Sequence, residues 1–110
     1  MRFLGTINAG FPSAAEGYED PPLNIHEWLV KNPAATTFYR VQGDELAKEN
    51  IRPGSMVVVD KSIVPPRNKL RRIEGKLVLI EHDGAFVICR FCEKLQMEVC
   101  GVVTGVVTKY

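Results

Sequence analysis

Apolar positions along this chain follow two different periods. Between residues 24 and 31 they fall at helical spacing, with Ile25, Trp28 and Leu29 on one face. Asn24 is a good N-cap, Glu27 follows three residues on as in a capping box, and Asn32-Pro33 stops the run. The pattern predicts a short amphipathic helix over 24–31, with Trp28 packed against the domain. From Thr36 the preference shifts to strand. Thr36 to Val41 is rich in β-formers, and Met56 to Asp60 is a nearly continuous apolar run bounded by turns. Leu77–Glu81 and Ala85–Phe91 flank His82-Asp83-Gly84, which is hairpin chemistry. Met97–Val103 and Val106–Thr108 supply further strand, with Gly101 and Gly105 as bulges or bends. Gly43-Asp44 turns the chain, Glu45–Glu49 suits one helical turn, and residues 61–75 read as a polar, basic connection. The expected class is mainly β with one early helix.

Residues 1–21 hold no sustained period and several breakers (Gly5, Gly10, Pro12, Gly17, Pro21), so they read as an extended N-terminal arm before a domain at 22–110. A chain of 110 residues makes one domain, and 45% apolar residues suffice for a core. Its net charge of +1 exerts no general pull on nucleic acid or membrane. The three cysteines, Cys89, Cys92 and Cys100, cannot all pair within the chain and none precedes them, which suits a reducing cytoplasm. No apolar run approaches a membrane span, and a secretory leader is not expected because Gly5, Thr6 and Asn8 interrupt Phe3-Leu4.

Two segments carry a resemblance. Ala9-Gly10-Phe11-Pro12-Ser13 is similar to the self-cleavage site of UmuD-like proteins, and Val41-Gln42-Gly43-Asp44 resembles the loop that carries their nucleophile. Leu23–Pro33, Ile51–Asp60, the hairpin from Gly75 to Cys89 and the closing strand from Leu95 to Val107 extend the likeness, with a shortened stretch between Cys89 and Leu95. On these residues the chain is identified as a member of the LexA/UmuD (peptidase S24) family. The resemblance implies a compact, mainly β fold of the LexA/UmuD C-terminal-domain type, with one short helix, an N-terminal arm and a homodimer. It also implies cleavage of the arm by a Ser-Lys pair when a RecA filament stimulates it.

The chemistry departs from that pattern. A Ser-Lys autoprotease needs a hydroxyl to attack and a neutral amine to take its proton. The family's nucleophile position, after Gly43-Asp44, holds Glu45, and its lysine position holds Cys89. Neighbouring Arg90 cannot serve as a base, because arginine stays protonated. No catalytic residue is therefore expected, although the cleavage-like bond Ala9–Gly10 survives. A reversed pair, Cys89 attacking and Glu45 as base, requires the two positions to face each other, and a carboxylate beside a thiol suppresses the thiolate. Ser55, in Gly54-Ser55-Met56, sits ten residues too late and reads as a turn serine. Cys89-Arg90-Phe91-Cys92 has C-x-x-C spacing, but no further ligands are spaced to complete a zinc site, so neither metal nor cofactor is expected. Arg67-Asn68-Lys69-Leu70-Arg71-Arg72 is strongly basic; without aromatic interleaving it reads as a solvated loop and gives no strong nucleic-acid signal.

The implied function is a catalytically inactive, UmuD-like accessory or regulatory subunit in SOS-response translesion synthesis. Its expected partners are a second copy, a UmuC-like Y-family polymerase and the RecA filament. The alternative is a self-processing S24 peptidase with unorthodox residues. A repressor-like dimerisation module is disfavoured, because only nine residues precede Gly10, too few for a helix-turn-helix domain.

Overall fold

The computed structural model describes residues 24–110. The expected arm and the Ala9–Gly10 bond lie outside the described residues. Helix α1 covers Ile25–Leu29 and is shorter than the expected 24–31. Asn24 Oδ1 accepts from the Glu27 N–H at 3.2 Å, as the capping pattern requires. The chain turns extended at Val30, two residues before Asn32-Pro33.

Five strands follow: β1 (Thr36–Arg40), β2 (Met56–Asp60), β3 (Leu77–His82), β4 (Ala85–Arg90) and β5 (Val99–Val107). They form one antiparallel sheet in the order β1-β2-β5-β3-β4, with β1 and β4 as its edges. The mainly β class expected from the period-two pattern is the class observed. The β3–β4 hairpin closes through Asp83 and Gly84, both at positive φ (52° and 76°), the geometry that matches the strands' twist. β5 carries two bulges, beside Gly101 and Gly105. Leu79 pairs with Gly101 but Ile80 with Val99, leaving Cys100 extra. Val58 pairs with Gly105 but Val59 with Val103, leaving Thr104 extra. At Gly101 a Cβ would run into the Val59 side chain, so glycine is required there by close approach.

Alternation along the strands builds two cores. On one face Val57 and Val59 of β2 and Leu79 of β3 pack with Ile51, joined by Tyr39, Val41, Leu46, Ile88 and Val103. On the other, Val78 and Val102 pack with Ile73 and Phe91, joined by Leu70, Ile80 and Cys89. The sheet curls enough for its two edges to meet: the rings of Tyr39 (β1) and Phe86 (β4) are 5.8 Å apart. The first core therefore lies inside the curl and the second outside it.

Two readings from pattern alone need correction. Trp28 does not pack against the domain; it is 63% exposed. Five residues give α1 little more than one turn; Leu29 lies over Gly105 beside Val58, and the His26 ring lies 6.4 Å from that of Phe38 on β1. Residues 61–75 are not a plain loop either. They contain a 3₁₀ helix, Arg67–Ile73, kinked at Lys69, which lays Leu70 and Ile73 onto the outer core. Among the described residues no helix is long and apolar enough to cross a membrane.

Candidate functional site

The loop after β1 begins where strand pairing runs out. Val41 N–H donates to Ser55 O and Gly54 N–H to Val41 O, each at 2.9 Å, which anchors the base of the loop to the start of β2. Gly43 then takes φ +83°, which glycine adopts without strain. The Glu45 carboxylate folds back over it, so that a Cβ on residue 43 would collide with that carboxylate. Ala47 N–H donates to Asp44 O at 3.1 Å, and a short 3₁₀ turn follows over Ala47–Glu49. Asn50, left-handed at φ 61°, ends it. Ile51 lies in the inner core and Leu46 packs against it, which anchors the loop.

Arg90, at the end of β4, ties that loop across the seam. Its guanidinium donates to both carboxylate oxygens of Glu49, Nε to Oε1 at 3.2 Å and Nη2 to Oε2. Its Nη1 donates to Gly75 O at 2.7 Å. The hydrogen bonds from Arg90 hold the Glu49 carboxyl below its ordinary pKa, and Glu49 in turn raises that of Arg90. Arg90 thus acts as a permanent cation in a structural bridge, which a lysine could not make with the same fork.

Glu45 and Cys89 are not brought together. Even-numbered residues of β4 turn toward the seam: Phe86 to Tyr39, Ile88 to the inner core, Arg90 to Glu49. Cys89 points the other way, into the outer core, while Glu45 is exposed. Burial alone pushes the Cys89 thiol above its ordinary pKa, with no carboxylate contributing. A thiol in that setting is a poor source of thiolate, and the reversed Cys-Glu pair fails on geometry and on acidity.

Neither described serine is activated. Ser55 is buried, and its hydroxyl shares a 2.8 Å hydrogen bond with the Thr108 hydroxyl, not with a base. Ser62 Oγ donates to Asp60 Oδ1 at 2.6 Å, but Asp60 is committed elsewhere. Its Oδ1 also accepts from the Ser62 N–H at 2.8 Å and its Oδ2 from Asn32 Nδ2 at 3.0 Å. These bonds, led by Ser62 and then Asn32, hold the Asp60 carboxyl below its ordinary range, which makes it a weak base. This knot, buried at Asp60 and open to solvent at Asn32 and Ser62, joins the segment after α1 to the end of β2. The reading of the sequence missed it, although Asp60-Lys61-Ser62 has the spacing of an Asx turn at a strand end.

Cys92 lies beyond β4, as the N-cap of a short 3₁₀ turn over Glu93–Leu95, and Cys100 is the bulge residue of β5. Cys89 and Cys100 join different cores. Among the described residues no group of three or more His, Cys, Asp and Glu could hold a metal ion.

A curled antiparallel sheet, with a Gly-Asp loop set into the seam between its edges, is the architecture expected of a LexA/UmuD-type domain. The Peptidase S24-like family model matches residues 2–100. The chain belongs to the Peptidase S24-like family. Among curated proteins it is 48% identical over 61 residues to Protein MucA of Escherichia coli, covering 56% of this chain and 42% of that protein. It is 34% identical over 88 residues to Protein SamA of Salmonella typhimurium, covering 80% of this chain and 58% of SamA. To Protein ImpA of Escherichia coli it is 32% identical over 88 residues, covering 80% of this chain and 56% of ImpA. The chain spans about half the length of the curated relatives it matches.

Proposed function

We propose that this chain is a non-catalytic, UmuD-like accessory or regulatory subunit in SOS mutagenesis that acts by binding. The observation that carries the reading is the side-chain arrangement at the seam. Where a Ser-Lys enzyme needs a hydroxyl beside an amine, this chain offers an exposed carboxylate at Glu45 and, at position 89, a thiol turned into the opposite core. Dyad members act as a unit, so losing both removes catalysis by orders of magnitude. What remains is a scaffold with two strand edges and a pinned loop. An extended segment such as the one around Ala9–Gly10 would add to an edge strand through main-chain hydrogen bonds and stay uncut. The protein would work as a cytoplasmic homodimer that restrains a UmuC-like Y-family polymerase and meets the RecA filament.

The test is affinity capture of the tagged protein from cells under DNA damage, with and without residues 1–9. The expected result is recovery of a Y-family polymerase or of RecA with the full chain, in altered amount once the arm is shortened. Recovery of neither would overturn the proposal.

A further inference from the structure

The basic stretch after Pro65-Pro66 is held differently from a solvated loop. It forms the 3₁₀ helix Arg67–Ile73, kinked at Lys69, so that Arg67 does not follow Leu70 and Ile73. Beyond the kink, Leu70 and Ile73 are three residues apart and both are set into the outer core, Ile73 with only 4% of its surface exposed. That anchoring fixes the other side: Arg67, Lys69, Arg71 and Arg72 all stand exposed on the outer surface. Their carboxylate neighbours are engaged. Glu74 Oε2 accepts from the Glu93 N–H at 2.9 Å, and the Glu93 side chain lies 3.8 Å from Arg71. Among the described residues Arg67, Lys69 and Arg72 make no ion pair.

The charge is also concentrated. Residues 61–75 carry five cations against one carboxylate, while the whole chain is only +1, so the remainder of the protein is net negative. A polyanion is attracted to this ridge more than to the rest of the chain.

We infer that the Arg67–Arg72 ridge is a docking surface for the phosphate backbone of a nucleic acid, read without regard to sequence. Three of its four cations are arginines, whose planar fork matches phosphate oxygens. Its exposed side chains include no aromatic on which a base could stack, so the contact is to backbone, and duplex suits it better than single strand. Four exposed cations within six residues suffice for three or four phosphate contacts. An acidic protein segment would satisfy the charge, but the ridge exposes no apolar anchor of the kind protein docking adds. This inference is independent of the polymerase proposal.

The test is fluorescence anisotropy of a labelled 20-base-pair duplex titrated with the full chain at several salt concentrations. The expected dissociation constant is on the order of 10 µM in 50 mM salt, weakening roughly 40- to 150-fold by 200 mM. Arg67→Gln/Lys69→Gln/Arg72→Gln, checked for folding by circular dichroism, is expected to lose at least about tenfold in affinity and most of the salt slope. If the triple variant does not fold, each single substitution is expected to lower the slope by about one. Lys31→Gln/Lys109→Gln, which removes cations elsewhere, is expected to bind as the parent does. No binding at 50 mM salt, unchanged binding by the ridge variants, or tighter ridge-dependent binding of a labelled polyglutamate would each overturn the inference.

Discussion

Leu79→Ala is expected to cost about 2–5 kcal/mol, a large part of the stability of a domain this size. Leu79 is 1% exposed and sits on β3 among Ile51, Val57 and Val59. It is also the residue opposite Gly101, next to the bulge that bends β5. That bend is pinned by backbone packing against Val59, so the surroundings cannot collapse far into the space a truncation leaves. The melting temperature is expected to fall by roughly 10 °C or more. Leu95→Ala is the matched control: Leu95 is 67% exposed, and its truncation should stay within about 0.5 kcal/mol. Urea unfolding of both variants checks the pair, and a Leu79→Ala loss below about 1 kcal/mol would contradict the placement of the inner core.

Asp60 is expected to produce the second-largest effect, one that depends on pH. Asp60 as a whole is 4% exposed, and its carboxylate accepts three hydrogen bonds, from Asn32, the Ser62 N–H and the Ser62 hydroxyl. Asp60→Ala removes the shared acceptor of those bonds, and because the donors on Asn32 and Ser62 are exposed and can turn to water, it is expected to cost about 1–2 kcal/mol at pH 7. Because the folded-state pKa is lowered, the unfolded chain takes up a proton first as pH falls. The contribution of Asp60 is therefore fully present above its unfolded pKa, about 3.9, and is lost as pH drops through the depressed folded value. Glu49, lowered by Arg90, acts in the same direction, so the wild type is compared with the variant and not read alone. Urea midpoints at pH 7 and pH 3 are expected to lie further apart for the wild type than for Asp60→Ala. Equal separations would show that Asp60 is not the acid-sensitive group described.

The parts of the fold that were legible in the sequence are those fixed by local chemistry. Asp83-Gly84 tolerates positive φ at both turn positions, which made the hairpin plain. Met56–Asp60 is too apolar for a surface strand, and Val57, Val58 and Val59 are all fully buried. Asn24 and Glu27 marked the start of α1. What was not legible depends on distant partners. Trp28 looks like a packing residue by spacing, but α1 is too short to press both it and Leu29 against the sheet. The basic run from Arg67 gave no sign that Leu70 and Ile73 would be held by β3, β5 and Phe91, because that core assembles from four separate stretches of chain.

The candidate site was legible as identities and not as geometry. Gly43-Asp44-Glu45 and Cys89 were found by resemblance, but which face of β4 turns to the seam depends on sheet curl and on the pairing of Val78 with Cys89. One residue of alternation separates Ile88, which turns inward, from Cys89, which turns out. The bridge from Arg90 to Glu49 was missed for the same reason: 41 positions apart in sequence, they meet only because the sheet edges do.

Among the described residues no side-chain pair is arranged to break the backbone at Ala9–Gly10, and we propose that the chain does not cut itself there. Intact-mass spectrometry of the purified protein, incubated with activated RecA filaments and no other family member, tests it most directly. The expected result is a single unchanged species at 12.3 kDa. A product beginning at Gly10, abolished by Cys89→Ala or Ser55→Ala, would contradict it.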